Sequence, residues 1–360
     1  MNRSQALLEQ IRHHCRQPWT LMEVCGGQTH ALLRHGIDRL LPEAITLIHG
    51  PGCPVCVTGT DRIDQAIALA QQPDVILCSY GDMLRVPGSD GRDLLSQRAA
   101  GADVRVIYAP LDVLELARQH PQRRVVFFAV GFETTAPATA LLARQALLRG
   151  IDNLALLVAH VRVAPVLDQL LADPGCAVQG VLAAGHVCTV MGEADYETLV
   201  RRHQRPIVIT GFSAEELLEG ILRCVQQLER GESRLENAYP AAVAAAGNRE
   251  AQRLVNQVFE AVDSDWRGLG TIQGGGYRLR EPFRQLAIEA PPQPAGASTA
   301  ITSSSTTGTD TTCPSGLVLQ GLLRPQQCPS FGTTCTPEYP LGVPMVSGEG
   351  ACAAYFRYPR

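Results

Sequence analysis

The sequence of 360 residues contains no lysine, and all 31 of its basic residues are arginine. A P-loop nucleotide-binding site needs a lysine on the phosphates, and a pyridoxal phosphate enzyme needs one for its Schiff base. Both classes of protein are therefore excluded. Runs of basic residues are also absent and the net charge is −4, so nucleic acid is not an expected partner.

Long apolar stretches are missing as well. A membrane-spanning helix requires about 20 predominantly apolar residues, and even the stretch LALLVAHVRVAPVL is interrupted by His160 and Arg162. The N-terminal MNRSQALLEQIRHHCR carries charge throughout and has neither the apolar segment nor the cleavage site of a secretory signal. We therefore expect a cytoplasmic protein without a membrane partner, in a compartment where structural disulfides are rare.

Short β-branched apolar runs alternate with segments of helical period over the first two thirds of the chain. The runs end at Val24, His49, Ser79, Tyr108, Val130, Ala159, Ala183 and Thr210. Continuous apolar strands separated by helices are typical of parallel sheets covered on both faces. With a break expected near Gly150, the pattern predicts an α/β fold with two related doubly wound parallel-sheet domains, at residues 18–150 and 151–230.

The remaining residues, 231–360, are expected to form a third, mainly helical and irregular domain, to which an N-terminal helix at 1–17 is a candidate addition. Residues 212–262 have helical periodicity that is broken once by proline and glycine. The stretch 290–312 is rich in Pro, Ala, Ser and Thr and has almost no large apolar residue. This composition is typical of a flexible linker.

The final fifty residues contain four cysteines among prolines and glycines: Cys313, Cys328, Cys335 and Cys352. A chain so rich in turns cannot bury enough apolar surface to offset its ordering entropy without a covalent or metal cross-link. The cysteines are separated by fourteen, six and sixteen residues, whereas structural zinc usually takes short C-x2-C knuckles. These spacings favour a [4Fe-4S] cluster, with zinc and a pair of disulfides as the alternatives.

Polar loops follow most of the predicted strands. They read CGGQTH, GPGCPVC, YGDMLR, GFETTAP and AGHV. Because ligands of open α/β sheets bind beyond the carboxyl ends of the strands, we expect these loops to converge on one crevice between the two α/β domains.

The loop GPGCPVC holds Cys53 and Cys56 at C-x2-C spacing, with prolines that fix the turn. Two thiols so spaced can close a disulfide, and a helix beginning behind them would lower their pKa, as in thioredoxin-type motifs. Half of a zinc knuckle is the alternative. Cys25 precedes a glycine pair that permits close backbone approach to a ligand, although a lone cysteine after a strand is often simply buried.

Several other polar residues at strand ends are ambiguous taken one at a time. His30 and His186 are candidate acids, bases or metal ligands, but an isolated histidine at a strand end is more often structural. Glu133 could merely cap the helix that follows it, and Asp82 and Arg85 could pair with each other. Their common position at strand ends is what favours a functional role.

Eight sequence strings, taken in order, resemble the HypD family of hydrogenase maturation proteins. The strings are EVCGGQTHALLRHGIDRLLPE, HGPGCPVC, GDMLRVPG, GFETTAP, GHV, DSDWRGLG, CPSFGTTCTP and VSGEGACAAYF. The resemblance covers nearly the whole chain outside 290–312, and it implies a cytoplasmic protein with two related α/β domains and an iron-sulfur domain. It also implies a scaffold that assembles the Fe(CN)2CO unit of [NiFe]-hydrogenase in complex with the small chaperone HypC. HypE and HypF would supply the cyanide.

The resemblance also assigns roles to the cysteines. Cys25 would be the thiolate that binds the iron of Fe(CN)2CO, with His30 as a further candidate ligand. Cys53 and Cys56 would be a redox pair. The [4Fe-4S] ligands would be Cys313, Cys328, Cys335 and Cys352.

Other positions are assigned less directly or depart from the family. Glu349, close to Cys352, and His186 are candidate proton-handling groups. The family usually has a histidine where this chain has Gln28, which puts an essential role for that histidine in doubt. Cysteines that the family often has are replaced by Ser315 and Pro344, which leaves four in the C-terminal region.

The sequence therefore predicts a redox-active assembly scaffold rather than a turnover enzyme. One alternative is an iron-sulfur disulfide reductase that acts on a partner protein, in which Cys25 would be dispensable. A second alternative is an interaction protein without redox activity, whose C-terminal cysteines hold zinc.

Overall fold

The computed structural model describes residues 2–288 and 313–359. The linker expected at 290–312 lies outside the described residues. The strands are β1 (Trp19–Glu23), β2 (Ile45–His49), β3 (Val75–Ser79), β4 (Val104–Val106), β5 (Arg124–Gly131), β6 (Leu154–His160), β7 (Gly180–Ala184), β8 (Ile207–Thr210), β9 (Leu235–Asn237), β10 (Phe259–Trp266) and β11 (Gly270–Leu279). The α-helices are α1 (Arg3–His14), α2 (Gly26–Arg34), α3 (Ile37–Leu40), α4 (Pro54–Val57), α5 (Thr60–Ala70), α6 (Leu94–Ala99), α7 (Asp112–Gln119), α8 (Ala136–Leu148), α9 (Val163–Ala172), α10 (Gly185–Met191), α11 (Ala194–His203), α12 (Ala214–Arg230), α13 (Arg249–Val258), α14 (Ser315–Leu319), α15 (Val343–Val346) and α16 (Ala351–Arg357).

Two parallel sheets organise the α/β part of the chain. The first has the strand order β2-β1-β7-β8-β9 and the second has the order β4-β3-β5-β6. Along β5, Phe127 and Ala129 pack into one apolar cluster, while Val126 and Phe128 pack into another. Both faces of this sheet are therefore covered, as the continuous apolar runs predicted. The α/β class with parallel sheets is confirmed.

The division expected near Gly150 is not where the chain changes sheets. The chain leaves the first sheet after β2, builds the whole second sheet from β3 to β6, and returns to the first sheet at β7. Residues 18–150 and 151–230 thus each contribute strands to both sheets. Apolar periodicity indicates where strands lie but not which strands pair, so it could not reveal this insertion.

The N-terminal helix packs on the first sheet's domain and not on the C-terminal part. Leu7 and Ile11 of α1 share an apolar cluster with Leu217 and Ile221 of α12. Helix α1 of residues 1–17, a candidate addition to the C-terminal domain, thus packs against α12 of the first sheet.

Residues 259–279 form a two-stranded antiparallel ribbon, although a helix was expected up to residue 262. Exposed and less exposed positions alternate along β10, and Trp266 at its end is buried. The Arg162 N–H donates to the Gly275 carbonyl at 2.9 Å and so anchors the ribbon beside β6. This half-exposed alternation of period two was hidden behind the strong helical pattern of α13.

Residues 313–359 contain three short α-helices joined by turns, in keeping with the expected irregular character of this region. Within the part of the chain that the structure describes, no helix has the length and apolar character needed to cross a membrane.

Candidate functional site

The carboxyl ends of β1 and β2 bring the loops that follow these strands into contact. The two strands pair in parallel, with Glu23 opposite His49. The Gly26 N–H donates to the Gly52 carbonyl at 2.9 Å, and a Cβ on Gly52 would lie only 2.3 Å from the nitrogen of Cys25. A glycine at position 52 is therefore needed for the backbones to approach this closely.

Cys25 is the residue immediately before the first turn of α2. Its N–H donates to Glu23 Oε2 at 2.7 Å. Burial raises the pKa of the Cys25 thiol to about 12, and the backbone amides of Gln28 and Gly27 oppose this rise. A metal ion binds a thiolate and displaces its proton. A cation at this sulfur would therefore stabilise the negatively charged thiolate, which burial disfavours.

Cys53 and Cys56 form a disulfide, with their Cα atoms 5.3 Å apart. Only 3% and 1% of the two residues are exposed. The Cys53 sulfur accepts the Cys56 N–H at 3.1 Å, and the helix behind the pair, α4, is a single turn. The C-x2-C spacing therefore closes a disulfide, while its exchange with a dithiol form stays a prediction.

Residues 342–350, the C-terminal segment, pack against loops of both sheets. The Asp82 carboxylate accepts the Gly348 N–H at 3.0 Å, and Arg85 donates to the Val346 carbonyl at 2.6 Å. These contacts replace the pairing of Asp82 with Arg85 considered from the sequence, because each side chain binds the C-terminal segment instead. The loop after β3 thereby holds this segment in place.

Two predicted site residues, His30 and Glu349, lie where the C-terminal segment touches α2. A Cβ on Gly26 would lie 2.4 Å from the Glu349 carbonyl oxygen, and His30 Nε2 donates to the carbonyl of Gly348. Burial raises the pKa of the Glu349 carboxyl, and the carboxylate of Asp82 adds to the rise. Both residues therefore border the loop that carries Cys25.

His186 reaches this region through an aromatic neighbour. Its exposed ring stacks on Phe212, with the ring centroids 3.8 Å apart. A Cβ on Gly27 would lie 3.2 Å from the Phe212 ring and 3.7 Å from Cys25 Sγ. Partial burial of the ring lowers the pKa of His186, which favours the neutral imidazole. His186 thus stands at the rim of the site.

The four C-terminal cysteines lie within electrostatic range of one another. Burial raises the pKa of Cys352, and the thiolates of Cys313, Cys335 and Cys328 add to the rise. No group of three or more His, Cys, Asp and Glu side chains within 2–288 and 313–359 is arranged to hold a metal ion. The cluster expected at these cysteines is therefore a proposal.

These cysteines nevertheless fit a [4Fe-4S] cluster in number and donor type. The Leu341 N–H donates to Cys335 Sγ at 3.3 Å, and hydrogen bonds to ligand sulfurs are one of the means by which proteins tune such clusters. A Cβ on Gly342 would lie 2.2 Å from Cys313 Sγ, so a larger residue would occupy the space beside that sulfur.

Sequence reasoning missed a buried set of side chains behind Cys25. Glu23 Oε1 lies 2.6 Å from His49 Nδ1, and His49 Nε2 lies 2.9 Å from the hydroxyl of Tyr355. All three residues are buried. The available signal was a glutamate and a histidine at the ends of apolar strands, where a charged or titratable side chain needs a partner.

Gln28 ties α2 to the first sheet. It is fully buried, and its Nε2 donates to the carbonyls of Ala183 at 3.1 Å and Thr210 at 3.2 Å. These acceptors stand at the carboxyl ends of β7 and β8. The amide therefore fixes the helix whose first turn follows Cys25.

Glu133 caps a different helix from the one expected. Its Oε1 accepts the Val163 N–H at 2.9 Å, at the start of α9, whereas the residue before α8 is Thr135. The other carboxyl oxygen is buried without a hydrogen-bond partner among the described residues. Burial raises the pKa of Glu133 to about 7.

Replacing Glu133 by glutamine should stabilise the protein above neutral pH. Because the folded state favours the protonated acid, the free energy of unfolding falls as pH rises from the ordinary pKa of 4.5 to about 7, by about 3 kcal/mol in all. Glutamine keeps an oxygen for Val163 and does not ionise. Urea denaturation at about pH 5 and about pH 8 should show the advantage of the variant only at the higher pH. An equal difference at both would contradict the assignment.

A cavity of about 520 Å³ lies beside the ribbon, with Asp61, His160 and Arg278 among its lining residues. Cys25 and the disulfide are not part of it. Since the side chains with candidate chemistry converge at the ends of β1 and β2, we place the functional site there and not in this cavity.

Comparisons with known proteins agree with the resemblance seen in the motifs. The sequence model named HypD and described as "Hydrogenase formation hypA family" matches residues 2–359. The hydrogenase maturation factor HypD of Escherichia coli K12 is 43% identical, with 97% of this chain and 91% of that protein covered. HypD of Rhodobacter capsulatus is 42% identical, with 98% and 92% covered. A solved structure of a mandelate racemase/muconate lactonizing enzyme from Roseiflexus sp. covers 78% of this chain and 71% of its own, at 14% identity. The TM-score of this superposition is 0.14.

Proposed function

This chain belongs to the HypD family of hydrogenase maturation factors, and from that premise we propose that it is the scaffold on which the Fe(CN)2CO unit of [NiFe]-hydrogenase is assembled. Its role in hydrogenase maturation follows from the family. The observation that carries the finer proposal is the meeting of the Cys25 loop, the disulfide loop and the C-terminal segment beyond β1 and β2.

Cys25 holds the iron that is the cargo of this scaffold. Cyanide and CO favour low-spin Fe(II), and a soft thiolate suits such a centre. The glycine pair after Cys25 leaves space beside the sulfur, since even a Cβ on Gly27 would come within 3.7 Å of it. Glu349 and His30 border the same space and are the groups that orient ligands or move protons there.

The proposed partners follow from the family. A small HypC-type chaperone forms the complex in which the iron is carried, and HypE supplies cyanide made with HypF. Neither nucleic acid nor a membrane takes part.

The direct test is the infrared spectrum of the protein purified anaerobically with its small partner. Metal-bound CO and CN stretches appear in a window free of protein bands, so their presence is read without interference. We expect bands of both ligands. A complex with stoichiometric iron and no such bands would contradict the scaffold function.

Electrons for this site would come from a cluster held by the C-terminal cysteines and would pass through the Cys53–Cys56 pair. A [4Fe-4S] cluster held by Cys313, Cys328, Cys335 and Cys352 would supply electrons one at a time. Reducing the Cys53–Cys56 disulfide breaks one S–S bond, takes two electrons and two protons, and yields two thiols. A low-potential one-electron donor provides the electrons in two steps, and solvent provides the protons.

The adjacent residues Gly342 and Val343 support electron transfer from the proposed cluster to the disulfide. The sulfur of Cys56 lies 3.9 Å from the Val343 carbonyl oxygen, and the neighbouring Gly342 packs against Cys313 Sγ. The Gly342–Val343 peptide therefore touches a proposed cluster ligand on one side and the disulfide on the other. Because the disulfide is almost fully buried, a large external thiol has little access to it, and an internal route is favoured.

Replacing Gly342 by alanine should slow reduction of the disulfide. The added Cβ would overlap Cys313 Sγ, whereas a Cβ on Gly348, in the same segment, would come no closer than 3.7 Å to Asp82. Gly348→Ala is therefore the matched control. After dithionite, alkylation and mass spectrometry should find free Cys53 and Cys56 later in G342A than in native protein or G348A. A G342A protein with full iron and sulfide content and the native rate would contradict the route.

The alternative of a disulfide reductase for partner proteins is less well supported. Such an enzyme must present one thiol of its pair to the partner, but 3% and 1% of Cys53 and Cys56 are exposed. The sulfur of Cys56 instead lies against the C-terminal segment, 3.9 Å from the Val343 carbonyl oxygen.

A further inference from the structure

Three buried side chains connect the Cys25 loop to the helix that carries Cys352. Glu23 ends β1, His49 ends β2, and Tyr355 lies in α16. Their exposed fractions are 1%, 5% and 2%. They lie at the interface between the first sheet and the C-terminal region. The contacts among them therefore join two parts of the molecule that are distant in sequence.

Parallel pairing sets the first contact. Glu23 is the register partner of His49, and their side chains meet because partners on neighbouring parallel strands project from the same face of a sheet. The separation of 2.6 Å between Glu23 Oε1 and His49 Nδ1 is that of a charge-assisted hydrogen bond. The carboxylate also accepts the Thr29 hydroxyl and the Cys25 N–H.

The second contact follows from the first. With a proton on Nδ1 for the carboxylate, the neutral imidazole offers Nε2 as an acceptor. The Tyr355 hydroxyl lies 2.9 Å from Nε2 and can donate to it. Tyr355 is three residues beyond Cys352 on α16. A continuous chain of hydrogen bonds therefore runs from the Cys25 amide through Glu23 and His49 to this helix.

We infer that His49 is a positioning residue, which fixes the backbone of Cys25 relative to the helix that bears Cys352. The inference rests on the proposed function in one respect. That function explains why the relative position of Cys25 and α16 matters, since Cys25 would bind iron and the region of α16 would bind the cluster. Removing the imidazole takes one hydrogen-bond donor from the buried Glu23 carboxylate. It also breaks the hydrogen-bonded link between β1 and α16. Buried hydrogen bonds to charged groups are among those that are costly to lose.

His49→Leu and His49→Gln separate hydrogen bonding from bulk. Glutamine can donate to Glu23 through its amide nitrogen and accept from Tyr355 through its oxygen, whereas leucine can do neither. Tyr355→Phe removes only the outer hydroxyl. Tyr339→Phe is the control for loss of a tyrosine hydroxyl, because Tyr339 is 78% exposed and lies apart from the chain of hydrogen bonds.

The first measurement is the rate at which iodoacetamide modifies Cys25 in the anaerobic full-length protein, read by mass spectrometry. Loss of the anchor loosens the loop, so we expect the rate to rise by about tenfold in H49L and less in Y355F. H49Q and Y339F should react at about the native rate. The second measurement is titration with Fe(II) alone, where H49L should bind about tenfold more weakly.

Equal alkylation rates in native protein, H49L and Y355F would overturn the inference, and so would an H49Q protein as reactive as H49L. If H49L does not fold, Y355F against Y339F decides. The alkylation rate does not depend on iron or on maturation. Failure of the scaffold function would leave these rates informative, and unchanged rates would leave the scaffold function intact.

Discussion

Replacing Cys25 by alanine should abolish the CN and CO infrared bands of the complex and hydrogenase maturation with them. The thiolate is the only sulfur that the proposal gives to the cargo iron, so no partial activity is expected from the alanine variant. The fold should persist, because a smaller side chain at a loop position costs little. Cys25→Ser supplies a harder oxygen ligand and should retain at most weak iron binding.

The control for this experiment is another cysteine of the same domain. Cys176 lies at a loop after α9, with Arg205 donating to its sulfur, and Cys176→Ala should leave bands and maturation unchanged. The C25A protein should keep the iron and sulfide of the cluster proposed at the C-terminal cysteines. Full maturation by C25A would refute the scaffold role of this residue.

Replacing Cys328 by alanine should bleach the brown colour expected of the anaerobic protein. A [4Fe-4S] cluster needs four ligands, and burial together with the other three thiolates raises the pKa of Cys352. Without metal, no positive charge balances these thiolates. The turns around them also lose the cross-link that the metal would provide. Loss of iron and sulfide should therefore be accompanied by a lower Tm.

The same change at Cys15 or Cys224 should leave colour, iron and sulfide as in the native protein. Cys224 lies on α12 and is buried among apolar side chains, and Cys15 follows α1. A C328A protein with full iron and sulfide would exclude it as a ligand, and a colourless native protein with bound zinc would favour the zinc alternative.

The fold class was readable from the sequence because buried parallel strands are continuous apolar runs, as in β5. The pairing was not readable, since β6 is as apolar as β7 although the two lie in different sheets. The ribbon was missed because β10 follows directly on the amphipathic α13. Local pattern determines elements, and long-range contacts determine how they assemble.

The candidate site was predicted in part. The rule that loops at strand ends converge placed Cys25 beside the loop of Cys53, and the structure agrees. The roles of Asp82 and Glu133 were not readable, because a carboxylate's hydrogen-bond partner can lie anywhere in the chain. Asp82 binds a residue 266 positions away, and Glu133 binds one 30 positions away.

The position of the C-terminal segment also sets an order of events during biosynthesis. Residues 342–350 are translated more than three hundred residues after Cys25, yet they contact its loop through His30 and Gly26. A nascent chain can pair β1 with β2 early, but one side of the Cys25 pocket stays open until translation reaches this segment. The proposed loading of iron would therefore follow translation of the whole segment, and a chain stalled before residue 342 would leave Cys25 more open to oxidation.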